Sequence, residues 1–432
     1  MLTRSGRVLA MSVAWLGSAV GLASEAQWPQ FRGPDGQGNV AGTRAPYSWG
    51  EDDGVRWKTA LRGEGWSSPV VLGDQIWVTA AEKEGPEAPG EQGTVSVDKV
   101  KLWAICISRQ SGEVTREIPL FEIDDPERIH SQNSYASPTP CVAGELVICH
   151  FGRNGTVCID SASGEVVWSK AFVIDHYVGA GSSPIVCGGQ LILVCDGADR
   201  QFVVALNPQT GDEVWRQDRP PIRASNPDMR KSFCTPLALV HQGQALVVAP
   251  GAQWGVAYRP EDGSEVWRYD HGSGFSLVPC PVSDGESVFY CTGFAGDAVL
   301  ALPLSGEGEL EESAARWRHK RQAPHQPSPV LHAGRLLMVS DTGIAQCLEV
   351  ESGEVLWKKR LGGNYAASLL RVNDRYYLFS KEGVATCLNA DGEVLLENRL
   401  DGRFHATPAI VDDEWIIRTN THLYAIGAYE RI

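Results

Sequence analysis

One spacing constrains this chain more than any other feature. Cys158, Gly164 and Trp168 stand at positions 1, 7 and 11 of a segment, and Ala205–Gly211–Trp215, Ala257–Gly263–Trp267 and Cys347–Gly353–Trp357 repeat that interval. Each copy reads as an apolar strand ending in a small residue, a glycine turn, and a strand carrying tryptophan. A second signature precedes it, a Ser/Thr-Pro step opening an apolar run, at Ser68-Pro69, Ser137-Pro138, Ser183-Pro184, Thr235-Pro236, Ser328-Pro329 and Thr407-Pro408. Cys280-Pro281 and Ser368-Leu369 are degenerate copies. A turn such as Gly73-Asp74 or Gly188-Gly189 and a second apolar run follow each step, which is hairpin grammar. A repeat of this length settles architecture before domains are counted from length.

The small-residue column (Cys106, Cys158, Ala205, Ala257, Ala301, Cys347, Cys387, Ala425) has eight members. The expected fold is therefore all-β, an eight-bladed β-propeller of four-stranded antiparallel blades spanning residues 55–428. The last copy stops at Ala425-Ile426-Gly427, while Val55-Arg56-Trp57-Lys58 carries a tryptophan strand with no hairpin before it. The N-terminal strand is thus expected to complete the last blade and close the ring, removing free sheet edges. Trp57, Trp168, Trp215, Trp267, Trp317 and Trp357 are the expected blade-docking residues. Residues 27–54 read as an ordered arm lying on the propeller, held by Trp28 and Phe31.

Acidic residues outnumber basic ones by 53 to 38, for a net charge of −15. Such a surface repels phosphate backbones and anionic lipid, so nucleic acid is not an expected partner. Arg4 and Arg7 followed by the apolar run Val8–Leu22 read as a cleaved signal peptide over residues 1–23, which predicts a periplasmic or secreted monomer. The run is shorter than the roughly twenty residues a spanning helix needs, and no later segment qualifies. Of the eleven cysteines, four fill the small-residue column, where a thiol serves as a small hydrophobe. Cys280 and Cys291 come nearest to a pairing geometry. No metal-ligand spacing, phosphate loop or nucleophile elbow occurs, so no catalytic or metal residue is assigned.

The spacing of Ala, Gly and Trp resembles the tryptophan-docking motif of the propeller family named after pyrroloquinoline quinone (PQQ), and Trp28-Pro29-Gln30-Phe31-Arg32-Gly33-Pro34 looks like the start of many secreted members. The resemblance implies that each indole packs between blades. It spans quinoprotein alcohol dehydrogenases and non-catalytic propellers such as that of the outer-membrane protein assembly machine. PQQ with calcium is a cofactor it allows. The adjacent-cysteine disulfide that covers the cofactor in many PQQ alcohol dehydrogenases has no counterpart here.

Ligand-binding candidates come from two places. Lead-in segments to each first strand form one rim of the channel, and the residue three before each step runs Trp66, Tyr135, Gly181, Phe233, Val278, Gln326, Ala366, His405. His176 stands in another lead-in. Loops between second and third strands should reach the same face, with Arg153, Arg200 and Lys381 as cations, Trp254 as a stacking face, and Asp196 with Asp199 as a calcium pair. Converging aromatic and polar side chains suit a ligand funnel; the simpler reading is packing that plugs a wide channel. The Glu82–Lys99 insert reads as a mobile loop on this rim. The expected function is a non-catalytic binding or scaffold role through the channel face, toward a protein or small molecule. A PQQ- and calcium-dependent alcohol or sugar dehydrogenase and an envelope assembly subunit are the alternatives.

Overall fold

The structure, a computed structural model, describes residues 27–427. The signal-peptide reading of residues 1–23 lies outside them. Eight antiparallel sheets follow one another along the chain. The third, for example, runs Ile185–Cys187, Gln190–Asp196, Gln201–Leu206 and Glu213–Asp218 from its inner to its outer edge. In the eighth, Ala409–Val411, Glu414–Arg418 and His422–Ile426 are completed by Val55–Ala60, with Trp57 opposite Ala425. The ring is closed by the N-terminal strand, as the missing fourth strand required. No helix among the described residues is long and apolar enough to cross a membrane.

The recurrent spacing has a direct physical basis. Each tryptophan pairs across its own blade with the small residue of the column: Cys158 with Trp168, Ala205 with Trp215, Ala257 with Trp267, Ala301 with Trp317, Cys347 with Trp357. The glycine it packs on belongs to the next blade. A Cβ on Gly263 would stand 2.4 Å from the Trp215 ring, and one on Gly353 2.6 Å from Trp317. Both glycines also have positive φ, so no other residue fits comfortably there. The indole N–H then donates to a carbonyl of that neighbour: Trp57 to Arg109, Trp168 to Pro208, Trp215 to Pro260, Trp317 to Val350 and Trp357 to Ala390, all at 2.7–2.9 Å. Trp267 is different. The acidic insert of blade 5 crosses over as strand Gly308–Leu310 and pairs in parallel with the outer strand of blade 4, placing Gly308 beside Trp267. That indole is fully buried, and its N–H has no partner.

Around the channel, seven of the eight first strands are each tied to the next by one hydrogen bond. The backbone N–H of Ser68 donates to Thr139 Oγ1, Thr139 to Ser183, Ser183 to Thr235, Cys280 to Ser328, Ser328 to Ser368, Ser368 to Thr407, and Thr407 back to Ser68, all at 2.9–3.0 Å. Cys280 takes the eighth place. This belt shows that the blade 2 step is Thr139-Pro140, two residues beyond Ser137-Pro138. Ser137, not Tyr135, therefore holds the third position before the step.

The arm lies across one end of the channel. Gln27–Trp28 adds to the inner edge of Val70–Leu72, and Asn39–Val40 adds in parallel to Leu370–Val372. Between them, Pro29 accepts from Val142 N, Gln37 Oε1 accepts from Ser283 N, and Arg32 donates to Pro329 O and Gln37 O. Trp28 and Arg32 are buried. The arm thus stoppers one end of the channel with its own backbone. The Glu82–Lys99 insert is not a loose loop: Ala88–Pro89 and Thr94–Ser96 pair with each other and with Ile129–His130 as a small sheet. All eleven cysteines, Cys280 and Cys291 included, are free thiols.

Candidate functional site

With one end closed, the channel is a blind funnel opening on the lead-in face. Its throat encloses about 480 Å³ and is lined by Phe31 of the arm, belt residues from Thr139 to Thr407, Phe233, Phe275 and Gln326. Its mouth, about 800 Å³, is lined by Trp66, His130, Gln132, Phe294, His325, Asp341, Asn364, Lys381, Glu382, Arg403 and His405. Trp66, His130, Gln132, Phe294, Gln326 and His405 line both, so the two are one continuous space.

Two stacked pairs organise the mouth. Trp66 lies on His405 with ring centroids 4.1 Å apart and 13° between planes, and its indole N–H donates to Gln132 O. Phe294 lies on His325 at 4.2 Å and 16°. The two imidazoles are shifted in opposite directions. Burial, with Lys381 and Arg403 nearby, pushes His405 down to about 4, so it is neutral. His325 is hydrogen-bonded to Asp341 and Asp297, which raise it above its ordinary value. Lys381 is lowered by burial and donates to Gln132 Oε1 at 3.1 Å. Deeper in, Lys231 is lowered by burial to about 8; it pairs with Asp228 and sits over the Tyr177 ring.

Of the residues expected at the rim, Trp66, Phe233, Gln326, Lys381 and His405 converge on the funnel. Gly181, Val278 and Ala366 of the same column line the throat as well, whereas Tyr135, Arg153, His176, Arg200 and Trp254 lie outside the lining. Tyr135 is buried in the blade 1–2 core with its hydroxyl on Glu127 O, because the step falls two residues later. Arg153 points toward Glu127, 3.8 Å away, and His130 and Gln132 of the lead-in form the wall at this blade. His176 is packed against Gly152, and burial pushes it down to about 4. Arg200 is at an exposed hairpin tip beside Asp199. Trp254 is flanked by the guanidinium groups of Arg223 and Arg268 and donates to Pro221 O. The reading from sequence missed Phe31 as floor, and Gln132, Phe294, Asn364, Glu382 and Arg403 as wall. For Phe294 the signal was present, an aromatic residue in a loop between second and third strands, Ser287–Cys291 and Val299–Pro303.

The donor set does not fit calcium. Asp196 gives both oxygens to Arg219, at 3.0 and 2.8 Å, with both side chains almost fully buried. Asp199 instead accepts from Asp175 N. At the mouth, Asp341 holds His325 and Glu382 holds Asn364. Among the described residues, no three His, Cys, Asp or Glu side chains converge as a metal site.

A family profile described as outer membrane protein assembly factor BamB matches residues 125–359 and 310–383, more than half of the chain. No curated protein matches it in sequence. Solved structures with a similar fold include BamB from Moraxella catarrhalis (12% identity, 80% of this chain and 98% of that one, TM-score 0.53). They also include a europium-containing methanol dehydrogenase (9%, 94% and 98%, TM-score 0.63), and the quinohemoprotein alcohol dehydrogenase of Comamonas testosteroni (11%, 93% and 80%, TM-score 0.60). At these identities the likeness is one of fold.

Proposed function

The chain belongs to the BamB-like family of PQQ-repeat β-propellers, and from that premise we propose that it is an exported, non-catalytic binding propeller that takes a small ligand into its channel. The observation carrying this reading is the blind funnel. A chain that needed only to fill a wide channel would pack it with apolar side chains. This one stoppers a single end with residues 27–40 and leaves the other open, with aromatic faces and hydrogen-bonding groups converging there. Concave, largely preformed spaces of this kind are what ligand sites are made of.

The test has two arms. Intrinsic tryptophan fluorescence and calorimetry against saccharides, organic acids and PQQ would detect binding, with Gln326→Ala and Trp66→Ala expected to weaken it. Incubation with PQQ and calcium, followed by dye-linked oxidation of alcohols and sugars, is expected to give no turnover. Oxidation at rates above the dye blank would replace this reading by a dehydrogenase. Envelope assembly, which the family description names, is the second reading. It predicts stoichiometric co-purification with an outer-membrane assembly complex, unaffected by Gln326→Ala.

A further inference from the structure

We propose that the funnel selects an acidic saccharide, a pyranose unit bearing a carboxylate or sulfate. This rests on the binding reading above and deepens it. Two flat rings are presented at one mouth, each held by an imidazole behind it: Trp66 on His405 and Phe294 on His325. Phe294 is 43% exposed, high for an aromatic ring that a stacking partner already fixes in place. The C–H face of a pyranose is apolar and slightly positive at hydrogen, and it lies on the negative face of an aromatic ring. Two such faces, pre-oriented at no cost on binding, suit ring-shaped ligands with hydrogen-bonding edges.

The polar groups favour a ligand that both donates and accepts. Asp341 keeps a buried Oδ1 without a partner, although its other oxygen holds His325. Lys381 has one named acceptor, Gln132, for three N–H groups. Sugar hydroxyls satisfy both kinds of group; a hydrocarbon satisfies neither, and an ammonium group only the carboxylate. The sign of the charge follows from commitment. Of the mouth carboxylates, Asp341 is paired with His325, while Glu382 accepts from the neutral Asn364 amide and acts with Asp341 on Lys381. Arg403 lines the same mouth and makes no ion pair among the described residues, and Lys381, hydrogen-bonded to the Gln132 amide, feels Asp341 and Glu382 without a direct ion pair. In a chain of net charge −15, Arg403 is a cation left for a ligand anion with Lys381 beside it, and close approach in a partly desolvated funnel strengthens the pairing.

Calorimetry on the purified protein tests this, with tri-galacturonate as the carboxylate probe, a sulfated disaccharide as the sulfate probe, and maltotriose as the neutral control. Expected is binding of at least one acidic probe ten-fold or more tighter than maltotriose. Lys381→Met with Arg403→Met should reduce that preference to less than three-fold, and Phe294→Ala should weaken all saccharides at least ten-fold. Added salt should weaken the acidic probe selectively. Equal affinity for maltotriose would overturn the acidic assignment. Binding of an aromatic carboxylate, but of no saccharide, in a Phe294-dependent way would overturn the saccharide class while leaving the binding funnel standing. No ligand from either panel, with dye-linked turnover in PQQ, would overturn both.

Discussion

Arg116 stands in the first blade where Trp168 stands in the second. Arg116 pairs with Cys106 across its blade, covers Gly164 of blade 2 and donates from Nη2 to Ala162 O at 2.6 Å; Trp168 pairs with Cys158, covers Gly211 of blade 3 and donates from Nε1 to Pro208 O at 2.8 Å. A side chain that covers the glycine and donates one N–H to the neighbouring blade serves this dock, and guanidinium does so as indole does. Trp168→Ala is expected to cost about 3–5 kcal/mol, the usual loss for a large buried aromatic ring. Arg116→Ala should cost about 1–2 kcal/mol, since a more exposed group and one hydrogen bond are lost. Arg116→Trp should remain folded with no loss. Urea unfolding of the three variants measures all of this.

The closure of the ring concentrates risk in one short strand. Val55–Ala60 is the outer strand of blade 8 and also docks on blade 1 through Trp57, whose N–H reaches Arg109 O while Thr59 Oγ1 reaches Gly112 O. Deleting residues 27–60 removes that strand together with the channel stopper. The truncated chain is expected to lose its cooperative thermal transition and to aggregate through the exposed edge of His422–Ile426. Differential scanning calorimetry with light scattering would show it; a truncated chain that melts cooperatively as a monomer would refute the closure argument.

What could be read in advance divides by locality. The tryptophan, the glycine and the small residue recur at fixed intervals because strand, turn and bulge lie within one stretch of chain, so blade number and closure followed from spacing. Ser137-Pro138 and Thr139-Pro140 are both Ser/Thr-Pro steps, and only the bond from Ser68 N to Thr139 Oγ1 in the folded ring separates them. That two-residue choice is why Tyr135 is a core residue. Trp66, Phe233, Gln326 and His405 were legible because a column position transfers between blades. Loop residues do not transfer. Lys381 turns into the mouth, but Arg200 turns out to Asp199, since loop conformation sets direction. The place of the arm was invisible, because Trp28 and Phe31 announce burial without saying against what.

Asp196 and Arg219 form a buried bidentate pair, with Arg219 also donating to Ala249 O. Removing one partner of such a pair strands a buried charge. Asp196→Ala is expected to cost about 3–5 kcal/mol, read as a lower urea midpoint with an unchanged slope. Millimolar calcium should leave the melting temperature of the wild-type chain unchanged, because neither Asp196 oxygen is free to bind it. A calcium-dependent rise of several degrees, lost in Asp196→Ala, would reverse the assignment.

The neutral histidine beneath Trp66 makes a signed prediction about acid. Burial, Lys381 and Arg403 hold His405 at about 4 in the folded chain, against an ordinary value near 6.5 when unfolded. Between those two values the unfolded state binds the proton and the folded state does not, so stability is full above about pH 6.5 and falls as the pH is lowered to about 4. His150, His176 and His271, all buried and lowered to about 3, 4 and 4, act in the same direction. His325, raised by Asp341 and Asp297, opposes them, as does Glu127, which burial raises to about 7. The contribution of His405 is therefore read as a difference. The melting temperature of His405→Gln should fall less steeply than wild type between pH 6.5 and 4, and the two curves should run parallel above pH 7. Parallel curves across the whole range would mean that His405 takes up its proton without disturbing the Trp66 stack.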